Sequence, residues 1–233
     1  MSVAYNTAIV LDRLVLCLDA ANPKSYPGTG TNWNDLSGNR NNSILTNGVT
    51  YSTIDNGIMV FDGITNYVAT PYNITGKINV TFVAWVKLLS YPPVGKSDVI
   101  FDQSTGSTGC AFFITPTGNL QGVVFNSSAV GLGSTSSLVI PLNQWKMLSL
   151  SFQNNRINYY MNLDNAFIDP SAGVIDIIKL DPTNNLRIAT TVDGNVNYEN
   201  LNGYISDVMI YEKVLDFVET QQNFNALRGR YGI

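Results

Sequence analysis

The sequence predicts an all-β sandwich closed by one short C-terminal helix. Three observations lead there. Short apolar runs recur along the whole chain, turn residues separate them, and helical spacing occurs in one stretch near the end. A chain of 233 residues suits one such domain over 1–233, since sandwiches of ~200–250 residues are routinely single units. Hydrophobic residues make up 45%, enough for a full core, and charged residues 13%, well below the roughly 25% of ordinary soluble proteins. Asn, Ser and Thr must therefore wet the surface. Twelve Tyr, ten Phe and three Trp bring enough aromatic area to drive folding and argue against disorder. Trp33, Trp85 and Trp145 are expected in the core.

The elements follow in order. Residues 14–18 form a continuous apolar run. Residues 57–61 lead into the turn Asp62-Gly63. In residues 81–88, Phe82, Ala84 and Val86 alternate with Val83 and Trp85, as the two faces of a strand do. Further runs lie at 98–102, 110–115, 120–125, 138–140, 145–152, 157–162, 174–180, 186–189 and 204–211. Thr117-Gly118-Asn119, Gln153-Asn154-Asn155 and Asp193-Gly194-Asn195 have the chemistry of hairpin turns. The Gly/Ser/Thr-rich stretches 104–109 and 131–137 read as flexible loops. Val214, Phe217, Val218, Phe224 and Leu227 fall at helical spacing. Asp216 and Glu219 stand toward the start of that helix, Arg228 toward its end and Gly229 just past it, as its dipole prefers.

What is missing excludes function classes. The chain has no histidine, and its first glutamate is Glu199. A Ser-His or Cys-His nucleophile system has no base. Cys17 and Cys110 stand far apart and read as two buried free thiols rather than a disulfide. Net charge is −4 and the basic residues are scattered, so nucleic acid, which needs clustered positive charge, is not an expected partner. The first 22 residues lack the basic start of a signal peptide, and Asp12, Arg13 and Asp19 break their apolar stretch. Neither export nor membrane insertion is expected.

Three segments carry a resemblance. The first is Leu16-Cys17-Leu18-Asp19-Ala20-Ala21 followed by Trp33-Asn34-Asp35-Leu36-Ser37-Gly38-Asn39. The second is Val60-Phe61-Asp62-Gly63 through Tyr67-Val68, then Phe82-Val83-Ala84-Trp85-Val86. The third is Leu201-Asn202-Gly203-Tyr204-Ile205-Ser206-Asp207-Val208-Met209-Ile210-Tyr211 with the helix after it. Together they resemble the laminin G / concanavalin A-like superfamily, which implies a concanavalin A-like, laminin G-type jelly roll. The run Leu18 to Gly38, with Asn22-Pro23-Lys24-Ser25-Tyr26, and the ending Gln222 to Ile233 resemble versions in structural proteins of tailed bacteriophages. That resemblance implies a non-enzymatic virion protein, made in the host cytoplasm, with other virion proteins as partners and a symmetric assembly or homo-oligomer as its state. The alternatives are a host-glycan-binding receptor-recognition module of the tail, and a bacterial lectin-like protein outside any phage. Two positions depart from the family pattern. Asn66 replaces a common acidic residue, and Ala189 replaces a common glycine.

The resemblance also frames the sites. Superfamily members that cut β-glucans carry a Glu-x-Asp-x-x-Glu strand, which a chain without glutamate before Glu199 cannot have. Asp98 and Asp102 are the close acid pair in a central strand. Four residues apart, they are expected to share a face at ~13 Å, too far for a retaining glycosidase. Calcium is the cofactor left open, with Asp102, Asp193 and Asn195 as candidate ligands, because its sites need Asp, Asn and backbone oxygens. For glycan binding, aromatic rings flanked by amides are the tools. Tyr198 with Asn195 and Asn197 fits, as does Tyr91. Asp35-Leu36-Ser37-Gly38 and Asp62-Gly63 read as turns, and Asp207 as a backbone anchor.

Overall fold

The alternation at residues 82–86 seeds the architecture. Phe82, Ala84 and Val86 enter the core between two sheets, while Val83 and Trp85 face the opposite way and are equally buried. The computed structural model describes residues 8–153, 156–168, 174–192, 194 and 198–233, with the backbone alone for 165–168 and 199. In chain order its strands are β1 (Leu14–Asp19), β2 (Asn32–Trp33), β3 (Ser43–Thr46), β4 (Thr50–Ser52), β5 (Ile58–Asp62) and β6 (Tyr67–Ala69). Then come β7 (Val80–Leu88), β8 (Ser97–Thr105), β9 (Thr108–Ile114), β10 (Asn119–Phe125), β11 (Gly131–Val139) and β12 (Lys146–Gln153). The last are β13 (Arg156–Met161), β14 (Asp164–Ile168), β15 (Arg187–Ile188), β16 (Tyr198–Glu199) and β17 (Asn202–Tyr211), before helix α1 (Phe217–Leu227).

Two sheets stack face to face. The first runs β14-β13-β12-β7-β17-β5-β4, with β1 also on β17. The second runs β11-β10-β9-β8-β15-β6-β3-β2, with β16 also on β8. Apart from the parallel β16–β8 pair, the described pairs are antiparallel. Their inner faces form one core, in which Trp33, Phe61, Phe82, Phe101, Phe112 and Phe152 are fully buried. A polar link crosses it. Tyr159 of β13 reaches the second sheet, where its hydroxyl accepts from Gly122 N at 2.8 Å and donates to Ser134 O at 2.6 Å. Gly122 is glycine because a Cβ there would meet Leu150 at 2.5 Å. Cys17 and Cys110 are buried free thiols, and burial pushes Cys17 up to about 12.

Three expectations are corrected. Residues 131–137 belong to strand β11, and 104–109 are the tight turn between β8 and β9 with the strand ends on either side. Their Gly and Ser content suits an edge strand and a reversal as well as it suits a loop. Residues 174–180 form no strand. Ile175 and Ile178 still fill the core, and the backbone bonds in single steps to Lys77 and Phe125. The helix turns a different face inward. Thr220, Asn223, Phe224 and Leu227 are buried, while Phe217 and Val218 are 47% and 68% exposed and Val214 precedes the helix. The expected start holds, because Asp216 and Glu219 form a reciprocal capping box. Arg228 continues into a 3-10 turn, and Gly232, not Gly229, takes the left-handed conformation at its end.

That helix seals the outer face of the first sheet. Phe224 stacks on Trp85 with centroids 5.8 Å apart, and Tyr231 stacks on the same ring at 4.3 Å. Asn223 accepts from Val10 N at 2.8 Å, tying the N-terminal segment to the helix. Asp207 corrects another expectation, because it bonds side chains. Arg230 bridges Asp19 at 2.8 Å and Asp207 at 3.1 Å, and Tyr231 donates its hydroxyl to Asp207. Burial and the nearby Asp19 push Asp207 up to about 7, against the pull of Arg230. Trp145 is buried under the same cover, as expected of all three tryptophans.

Candidate functional site

The outer face of the second sheet is built differently, and the register shows how. Ala69, Arg187, Asp102, Ala111, Val123 and Gly133 stand opposite one another across six strands, on one face. In the next row, Phe113 pairs with Val99 and with Gln121. Tyr198, on β16, lies flat on Phe113 at 4.4 Å and 17°, and stays partly exposed. Beside this aromatic platform runs a groove of about 240 Å³ lined by Thr70, Thr183, Asn184, Asn185, Arg187 and Val192, among others. Arg187 spreads over the Tyr67 ring at 5.1 Å and donates to Thr191 O at 3.0 Å.

A buried hub sets the groove wall. Asp181 Oδ1 accepts from Thr183 N at 3.0 Å, Thr183 Oγ1 at 2.7 Å and Asn184 N at 3.2 Å. Gln103 then donates to Asn184 O at 2.6 Å from the neighbouring strand. Burial works against ionisation of Asp181, but the Thr183 and Asn184 donors outweigh it and hold the carboxyl well below its usual range. Asn185, next in line, is exposed. Ring, guanidinium, amide and hydroxyl groups thus share one outer face of the sandwich, a set that suits sugar hydroxyls and C–H faces.

The residues expected from sequence fall in different places. Tyr198 and Asp102 both reach this face. Asp102 is buried and commits its oxygens to loops: Oδ1 accepts from Ser104 N at 2.9 Å and Oδ2 from Val192 N at 2.7 Å. It thereby fixes the start of the segment that ends at Tyr198. Asp193, Asn195 and Asn197 lie outside the described residues, and so does the calcium question that rests on Asp193 and Asn195. Tyr91 sits elsewhere. Its hydroxyl donates to Ile140 O at 2.6 Å, and its ring braces the turn at Gly118, where a Cβ would come within 2.7 Å of it. Asn66 also works within a turn, accepting from Asp62 N at 3.1 Å and donating to Asn47 O at 2.6 Å. Among the described residues no three His, Cys, Asp or Glu side chains gather as a metal-binding group.

The acid pair is corrected. A bulge between Val99 and Phe101 turns both Ile100 and Phe101 into the core. Asp98 then pairs with inward Ile114, and Asp102 with outward Ala111. The two carboxylates point to opposite faces of the sheet, so they cannot flank one glycosidic bond. Sequence reasoning missed Tyr67, Asn184, Asn185 and Arg187. The available signal was Arg187, a lone charge inside the apolar run 186–189 that had to face outward.

Residues 62–219 match the family model described as the concanavalin A-like lectin/glucanases superfamily. The chain belongs to that superfamily. No curated protein matches it significantly by sequence. Solved structures share its fold at low identity. The binding domain of Paraclostridial Mosquitocidal Protein 1 superposes with a TM-score of 0.70 at 17% identity, over 93% of this chain and 52% of that one. A botulinum neurotoxin type C structure, whose title ties cell entry to interaction with two ganglioside molecules, gives 0.67 at 16% identity over 94% and 52%. Domain 4 of AbnA, a GH43 extracellular arabinanase from Geobacillus stearothermophilus, in complex with arabinotriose, gives 0.66 at 16% identity over 92% and 98%. The chain spans about half the length of the first two of these chains. Solved structures that share this fold thus include binding domains and a module of an enzyme.

Proposed function

We propose that the chain is a non-catalytic lectin-type module that recognises a glycan through the outer face of its second sheet. The observation that carries this reading is the asymmetry of the two outer faces. One is sealed by the helix, and the other presents Tyr198 on Phe113 beside the Arg187 groove. The opposed carboxylates of Asp98 and Asp102 support a non-catalytic role. The ganglioside and arabinotriose named for two structural relatives support saccharide as the ligand class. The sequence resemblance supports a place on a phage particle, where the module meets host-surface glycans.

The test is a glycan array probed with the protein, followed by titration of the best ligand. Tyr198→Ala and Arg187→Ala should each weaken binding by at least about tenfold, near 1.4 kcal/mol. A neutral glycan would meet Arg187 and the amides through hydrogen bonds and the rings through stacking, with no ion pair to screen, so its affinity should hold between low and molar NaCl. Binding untouched by both substitutions would overturn the assignment of this face. Release of reducing sugar from the bound glycan would overturn the non-catalytic reading. Many copies over the head of a purified particle, with no glycan bound, would replace recognition by architecture.

A further inference from the structure

A second cleft lies on the first sheet, at the margin of its aromatic cover. Lys87 on β7 and Tyr204 on β17 are cross-strand partners there. The Lys87 ammonium sits 5.9 Å from the Tyr204 ring and 6.0 Å from the Trp145 ring. Trp145 donates its indole N–H to Asp55 Oδ2 at 2.7 Å, and Tyr231 packs on the Trp145 ring at 4.8 Å. Asn143 and Gln144 rise beside them, both exposed. Together with Lys146 these residues line a cleft of about 440 Å³.

Lys87 is the unusual member. Its side chain is 25% exposed, so much of its hydration is gone, and its nearest carboxylate oxygen, on Asp55, is 3.7 Å away. Among the described residues no acceptor comes within hydrogen-bond distance of its Nζ. Cation–π attraction to two rings holds the ammonium in place but satisfies none of its three N–H donors. Asp55 is already shared with the Trp145 indole. Two lysine side chains thus line the cleft against one side-chain carboxylate that is partly spent, beside the backbone of Gly232 and Ile233, and the amides of Asn143 and Gln144 stand ready for hydroxyls. Asp55 and Asn143 reach these positions from left-handed backbone, with φ of 51° and 60°, a conformation short polar side chains tolerate.

We propose that this cleft is a second saccharide site, for a sugar that bears a carboxylate. The carboxylate pairs with Lys87, and ring hydroxyls bond to Asn143, Gln144 and the open oxygen of Asp55. The site is separate from the Tyr198 face, and its test is independent of that reading. The test uses the ¹⁵N-labelled chain and two probes, tetragalacturonate and the neutral galactose tetrasaccharide. The readout is the Trp145 indole N–H resonance, assigned with Trp145→Phe. The acidic probe should shift that resonance and the neutral one should not, and the shift should weaken as salt rises. Lys87→Met keeps the aliphatic stem over the rings and should lower affinity about tenfold or more, the scale of one charge-assisted bond. Lys87→Arg should retain binding, and so should Tyr198→Ala. An unmoved indole signal, equal response to the neutral probe, or full affinity in Lys87→Met would each overturn the proposal. Loss of binding in Tyr198→Ala would return the acidic sugar to the other face.

Discussion

Across the first sheet, Val83, Trp85 and Met209 are sealed under Phe224, Leu227 and Tyr231. Across the second, Val99, Ala111 and Phe113 meet Val123 and the flat ring of Tyr198, with the Arg187 groove alongside. The strands beneath are alike, but what lies over them is not. The first face is covered by regular structure and a charged clamp, Asp19–Arg230–Asp207. The second is dressed by turns and amides, anchored by Asp102 and Asp181. Regular structure therefore covers one side of the sandwich, and turn-borne polar groups dress the other.

The largest expected effect tests the cover. Phe224 is buried and stacked on Trp85, so Phe224→Ala should cost about 3–5 kcal/mol in denaturant unfolding, as buried Phe truncations do. Val218, on the same helix but 68% exposed, should tolerate alanine within about 0.5 kcal/mol. Equal effects at the two positions would mean that the helix is not the seal described.

A pH series separates the two carboxylate hubs, because their shifts have opposite sign. Asp207, raised to about 7, holds its proton more tightly in the folded chain. Its contribution is complete below the ordinary value of 3.8 and fades as pH rises from there through about 7. Asp181, lowered from 3.8, contributes above that pH and loses its contribution as pH falls below it. Asp207→Asn should remove the decline in melting temperature toward neutral pH, and Asp181→Asn should flatten the acid limb. An acid limb unchanged in Asp181→Asn would show that this hub is not what orders the groove.

The smallest effect lies between the faces, at Ala189, where the family pattern commonly has glycine. Ala189 is fully buried with φ of 69°, a left-handed conformation that costs a non-glycine residue about 1–2 kcal/mol. Ala189→Gly relieves that cost. It also loses a buried methyl, about 0.8 kcal/mol, and gains unfolded-chain freedom of about 0.4–1 kcal/mol. The net change should lie within about 1 kcal/mol of zero in a denaturant titration. A loss of several kcal/mol would mean that the methyl packs more tightly than its burial suggests.

Much of this fold was legible in the sequence because its strands follow one rule. Phe82-Val83-Ala84-Trp85-Val86 reads as a strand buried on both faces, and both faces are buried. The Asp216–Glu219 box marked the helix start. Periodicity failed where burial does not follow hydrophobicity. Asn223 faces inward because it satisfies Val10 and Tyr211, and Thr220 is buried on the same side, while Phe217 and Val218 face out. The bulge at Val99–Phe101, which parts Asp98 from Asp102, leaves no mark in the one-letter code. The candidate site was half legible. Tyr198 was named, but the groove beside it is made by residues 67, 70 and 183–187, which only the sheet pairing brings together.

The place of β17 sets the order in which this molecule can assemble. The last strand in the chain lies inside the first sheet, with β7 on one side and β5 and β1 on the other. Leu18 waits for Val208, some 190 residues later. During synthesis the hairpins β8–β9, β9–β10 and β10–β11 can zip as they emerge, since each closes a short loop. The first sheet cannot close until residues 202–211 have emerged, and closure over so long a loop is slow. Until then β5 and β7 present apolar edges that match β17 and, equally, the β17 of another chain. A nascent chain that stalls before Asn202 is left with that gap unfilled.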